Sequence, residues 1–229
     1  MIIKEFKISD LNLKYFIGIN QISVDFSKLL DQNKLENRDQ VLEFIFDVIE
    51  KVQRTYKGAT IQFFSQEYVL DQDHIFNASY FMEKAFRNGI NISNKKNIEL
   101  LLYLATNRQI KIGIEAFGVK FVDVKKGGVL YCIISQENNI DEINNEIIRI
   151  LQANELPLNL NKRSYDKFKS IKDYFAINEH QIITVLKSYG ISNKNEDLMS
   201  YKLEDLYLAL NDLICEKMTL LSLEKIKLD

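Results

Sequence analysis

The stretch Ile61–Gly89, IQFFSQEYVLDQDHIFNASYFMEKAFRNG, decides the class of fold. Ile61-Gln62-Phe63-Phe64-Ser65 is a short β-rich run, read as a strand. Asp71-Gln72-Asp73-His74 follows, a helix-start signal, because aspartate side chains accept hydrogen bonds from free first-turn amides. Ile75, Ala78, Met82, Ala85 and Phe86 then recur on one helical face, and Gly89 closes the helix by entering the left-handed cap cheaply. A strand leading directly into an amphipathic helix predicts an α/β chain.

Working outward, Ile2, Ile3, Phe6 and Ile8, then Phe16, Ile17, Ile19, Ile22 and Val24, predict short strands within the first 25 residues. A polar stretch, Asp31–Gln40, precedes an amphipathic helix on Val41, Phe44, Ile45, Val48, Val52 and Tyr56, ended near Gly58. On the other side, Asn94 and Asn97 open a strongly apolar helix from Ile98 to Ala105. Thr106-Asn107 breaks it and caps a second helix over Arg108–Phe117. Val119–Val124 and Gly128–Ser135 are read as two strands joined by a hairpin turn at Lys125-Lys126-Gly127-Gly128. The remainder is predicted to be helical over about 139–154, 164–176, 178–189 and 202–225. The segment 154–163, around Pro157, is the best break in the chain. These elements predict one α/β domain over 1–229, a small mixed β-sheet packed with several α-helices.

Composition limits the function. With 46% hydrophobic residues, the 229-residue chain can build a sizeable core. Its 30 basic and 32 acidic residues give a formal charge of -2, so any phosphate contact must come from a local patch. Cys132 lies in an apolar run, far from Cys215, which suits reduced thiols in a reducing, cytoplasmic compartment. Lys4, Glu5 and Lys7 interrupt the N-terminus, and no apolar stretch spans a bilayer, so neither a signal peptide nor a membrane role is expected.

No catalytic constellation is visible. His74 and His180 lie outside any ligand-spaced cluster, and the sequence contains no nucleotide-cradling glycine loop and no nucleophile elbow. No metal and no cofactor are expected. The carboxylate pairs Asp71/Asp73 and Glu204/Asp205 fall where caps and solvated faces occur. His74, beside Asp73 at a helix start, can be a functional group or a structural one. The chain reads as a non-enzyme.

The informative segment is Glu99–Ile110. A helix start at Arg108-Gln109 offers free amides and a positive dipole end, and arginine adds a planar bidentate donor. Asn94-Lys95-Lys96-Asn97 is a basic-polar loop nearby in sequence. Together they could hold the end of a single nucleic-acid strand, with Tyr103 or Phe86 as stacking surfaces. A few basic residues in a near-neutral chain prove little: the residues alone also allow Arg108 to pair with Glu99 or another acid and brace the junction, with Lys95 and Lys96 as solvated loop charges.

Residues 61–120 resemble the KEOPS (EKC) complex subunit family of PRPK-binding proteins, the TPRKB-like family, in its archaeal form. The similarity rests on Phe63-Phe64-Ser65 before an acidic turn, Asp73-His74-Ile75, and Asn91-Ile92-Ser93-Asn94. It continues through Glu99-x-Leu101-x-x-Leu104-Ala105, Arg108-Gln109-Ile110 and Ile114-x-x-Phe117-Gly118-Val119-Lys120. Leu203-Glu204-Asp205-Leu206 and Glu216–Lys225 resemble the family's closing helix. Relative to that pattern, about 27–58 and 155–200 look like lineage-specific expansions, and Asn107 replaces a small residue.

The resemblance implies a non-catalytic subunit of the complex that makes threonylcarbamoyladenosine in tRNA. Its implied partners are the complex's small atypical kinase/ATPase and the 3′ CCA end of tRNA. Carried onto this sequence, Arg108 and Gln109 are the implied tRNA contacts, with Asn94, Lys95 and Lys96 beside them. The kinase-facing set is Ile110, Ile114, Leu213, Met218, Leu220, Leu221 and Leu223, for each of which core packing is the competing reading. The alternatives are a protein–protein adaptor of the same complex without RNA binding, and an enzyme with an unrecognised site.

Overall fold

The computed structural model describes residues 1–126, 128–192 and 197–223. The contacts divide the chain into two compact units. The first comprises Met1–Gln66, Lys95–Asn97 and Gly118–Leu158; the second comprises Glu67–Asn94, Ile98–Phe117 and the residues from Asn159 onward. The sequence break around Pro157 falls where the chain passes from the first unit to the second.

The first unit holds the sheet. Strands β1 (Ile2–Ile8) and β2 (Leu13–Ser23) fall where short strands were expected, and they pair as an antiparallel hairpin. With β3 (Thr60–Phe64), β4 (Val129–Ser135) and the short β5 (Asn154–Leu156), the order is β1-β2-β4-β3, and β5 pairs with β2. Each ladder is antiparallel. Helix α1 (Phe26–Asn33), capped by Asp25, and β5 were not anticipated from the sequence. Helix α2 (Arg38–Thr55) starts at Asn37, whose side chain accepts from the Gln40 amide. Its buried stripe of Val41, Ile45, Val48, Ile49 and Val52 follows the predicted helical period. It joins Ile140, Ile143 and Ile147 of α7 (Ile140–Leu151) in one core with Ile61, Phe63, Tyr131 and Ile133 of the sheet.

One expectation in this unit is overturned. Val119–Val124 is not a strand: Phe121–Lys125 forms the short helix α6. β-branched residues favour a strand there, but the Asp123 carboxylate accepts from the Lys120 amide at 2.9 Å, the return bond of a helix start. The helix then sends Val124 into the core. β4 pairs with β2 and β3 instead, and Gly127 of the expected hairpin turn lies outside the described residues.

The second unit is helical. α3 (Gln72–Asn88) begins as predicted: one Asp71 oxygen accepts from the Asp73 and His74 amides at 3.0 and 3.1 Å, and Gly89 ends the helix with φ 67°. α4 (Lys96–Ala105) is buried along Leu100–Ala105. α5 (Ile110–Phe117), α8 (Tyr165–Tyr174), α9 (Glu179–Ser188) and α10 (Leu203–Leu223) follow. α10 packs on α3, α8 and α9. Its predicted continuation to residue 225 lies outside the described residues. None of the described helices is long and apolar enough to cross a membrane.

His74 belongs to the core of this unit. Its Nδ1 accepts from the Leu70 amide at 3.2 Å, so Nε2 carries the proton and donates to the Leu104 carbonyl at 3.1 Å. The ring also meets Phe117 and Phe175 edge-on. Burial pushes its pKa down to about 4. His74 is thus a neutral strut between α3 and α4, and of its two sequence readings the structural one holds.

Candidate functional site

The junction between α4 and α5 is built by local hydrogen bonding. Thr106 sits in the left-handed region at φ 48°, and the Asn107 amide donates to the Leu102 carbonyl at 3.0 Å, which closes α4 in a Schellman pattern. Asn107 Oδ1 then accepts from the Gln109 amide at 2.9 Å. The chain is occupied with this turn until Ile110, so α5 starts two residues later than predicted. Arg108 and Gln109 lie in the connecting loop and not in the first helical turn.

Beside the junction lies an open groove of about 380 Å³, lined by Thr106, Asn107, Arg108, Gln109, Lys217, Leu220 and Leu221. Arg108 is half-buried, and its Nη1 donates to the Leu221 carbonyl at 3.4 Å. The Tyr103 hydroxyl hydrogen-bonds Ser222 Oγ at 2.9 Å, a second tie between α4 and the end of α10. Burial raises the Tyr103 pKa, and the hydrogen bond to Ser222 and the nearby Arg108 charge pull it back. Glu99, fully buried, accepts from the Ile92 and Ser93 amides. The bracing contact of Arg108 is therefore the Leu221 carbonyl.

The structure brings together only part of the predicted set. Asn94, Lys95 and Lys96 stand at the opposite end of α4 from Arg108 and are not among the groove's lining residues. Tyr103 is buried and stacks on Phe81, with centroids 5.8 Å apart, so it offers no face to a base. Phe86 is half-buried on α3. Lys217 joins the groove unannounced. Only its place one turn before Leu221 on α10 could have pointed to it, and only once Leu221 was known to reach Arg108.

The apolar residues divide in the same way. Leu213, Met218 and Leu221 are buried, at 6%, 0% and 5% exposure, so these three pack the unit itself. Ile110 and Ile114 (each 45%), Leu220 (50%) and Leu223 (47%) are exposed. Ile110 and Ile114 are four residues apart on α5 and share one helix face. Leu220 and Leu223 are three apart on the last described turns of α10. Water-facing aliphatic side chains at this spacing mark a surface that another polypeptide can cover.

A helical unit with a small cationic groove flanked by unshielded aliphatic side chains is a binding module. The chain belongs to a family of kinase-binding proteins: the family model for the kinase binding protein CGI-121 matches residues 33–222. That span contains the α4–α5 junction, the groove, the exposed face of α5 and Leu220 of α10, and it ends one residue before Leu223. No curated protein matches the chain.

Proposed function

We propose that this chain is a non-catalytic, cytoplasmic subunit of the KEOPS complex, which makes threonylcarbamoyladenosine in tRNA. It binds the complex's small atypical kinase/ATPase and recruits tRNA by the 3′ CCA end. The observation that carries the RNA half is the groove in which Arg108 and Lys217 stand together beside the exposed Gln109. Two cations lining one open groove suit phosphate capture, and such binding weakens as salt rises. The kinase half rests on membership of a kinase-binding family and on the four exposed aliphatic residues of α5 and α10.

One observation favours the adaptor reading without RNA. The half-buried Arg108 guanidinium already serves the Leu221 carbonyl, as a structural brace would. Titration of labelled tRNA with and without its CCA tail separates the two. Tail capture predicts tighter binding of the intact tRNA, and Arg108→Glu should remove that difference. Equal affinity for both RNAs favours the adaptor. For the kinase, Leu220→Arg should abolish co-purification while leaving the fold intact. Retained co-purification would count against α10 as the docking element. ATP turnover by the isolated chain would point to an enzyme instead.

A further inference from the structure

The groove joins residues that the two halves of the proposed function assign to different partners. Arg108 and Gln109 belong to the RNA set and Leu220 to the kinase set, yet all three line one groove with Lys217. The turn of α10 that carries Leu220 and Leu223 is held to the junction through Arg108–Leu221 and Tyr103–Ser222. A partner seated on Leu220 therefore stands at the mouth of the RNA site.

We infer that the kinase, docked on Leu220 and Leu223, forms the missing wall of this groove, so that kinase docking and capture of an unpaired RNA end strengthen each other. The inference rests on the function proposed above. Its sign follows from the lining. Thr106, Asn107, Arg108, Gln109 and Lys217 are polar or charged, and only Leu220 and Leu221 are apolar. An apolar kinase segment that filled the groove would desolvate two cations and bring no counter-charge of its own, which is costly. Seated on the rim, it buries Leu220 and leaves the groove to an anion. Replacing water on the open side lowers the effective dielectric around Arg108 and Lys217, and the attraction for a phosphate grows in inverse proportion. Linkage then requires the RNA end to tighten kinase binding by the same factor.

The test measures the affinity of the full chain for labelled tRNA with an intact or a trimmed CCA tail, with and without saturating kinase. The expected result is a gain of about tenfold for the intact tRNA alone. With kinase present, Leu223→Arg protein should bind intact tRNA as that variant does without kinase. The inference is overturned if kinase leaves the affinity unchanged, weakens it, or raises it equally for the trimmed tRNA. A gain that survives Leu223→Arg overturns it as well. Absence of tail-specific binding in every condition would instead remove the RNA half of the proposed function, and kinase co-purification would still report on the other half.

Discussion

Acid should destabilise the helical unit in part through a single side chain, His74. His74 is buried, accepts from the Leu70 amide and donates to the Leu104 carbonyl, so the fold admits its neutral form. Its pKa falls from the ordinary 6.5 to about 4. Because the folded value lies below the unfolded one, the stability associated with the neutral ring is complete above pH 6.5. It is lost as the pH falls from 6.5 towards 4, where the unfolded chain takes up a proton that the folded chain refuses. At roughly 1.4 kcal/mol per pH unit, that window is worth about 3 kcal/mol, a large fraction of the stability of an ordinary domain. Urea unfolding at pH 7, 6, 5 and 4.5 reads the loss. Carboxylates titrate over the same range, so the informative quantity is the difference between the natural protein and His74→Gln. The variant is less stable at pH 7, and its deficit should shrink by about 3 kcal/mol towards pH 4. In one-dimensional proton spectra of the folded protein, the His74 ring signals should hold still down to about pH 5. Parallel pH profiles for the two proteins, or a ring that titrates in the native state at pH 6, would refute the assignment of His74 as a neutral strut.

Two further outcomes follow from burial and capping. Met218→Ala, at a fully buried position of α10, should cost about 2–5 kcal/mol of unfolding free energy. Leu220→Ala, two residues on and half exposed, should stay within about 1 kcal/mol by the same measurement while weakening kinase co-purification. Asp71→Ala removes the acceptor for two first-turn amides of α3 and should lower the melting temperature by an amount matching about 1 kcal/mol. Asp71→Asn, which keeps an acceptor, should recover most of that loss.

The elements legible in the sequence are those whose signals are local. Asp71 and Gly89 bracket α3 through side-chain and backbone chemistry within one turn, and the spacing of Val41 to Val52 gave α2 its buried stripe. The helix–break–helix at Thr106-Asn107 was visible for the same reason, because the capping atoms sit within a few residues of one another. Tertiary structure decided what depends on distant residues. Residues 121–125 prefer a strand by propensity; the Asp123 bond to the Lys120 amide is a local helix start, but it is the burial of Val124 in the core that depends on distant residues, as does the pairing of β4 with β2 and β3. α10 has more apolar positions than one face needs, so only packing against α3, α8 and α9 separates the buried Met218 and Leu221 from the exposed Leu220 and Leu223. The groove itself needs Arg108 beside Lys217 and Leu221, more than a hundred residues away in the chain. Local bonding alone cannot specify such a meeting. Chain entropy opposes it, and the burial of the helices on either side brings it about.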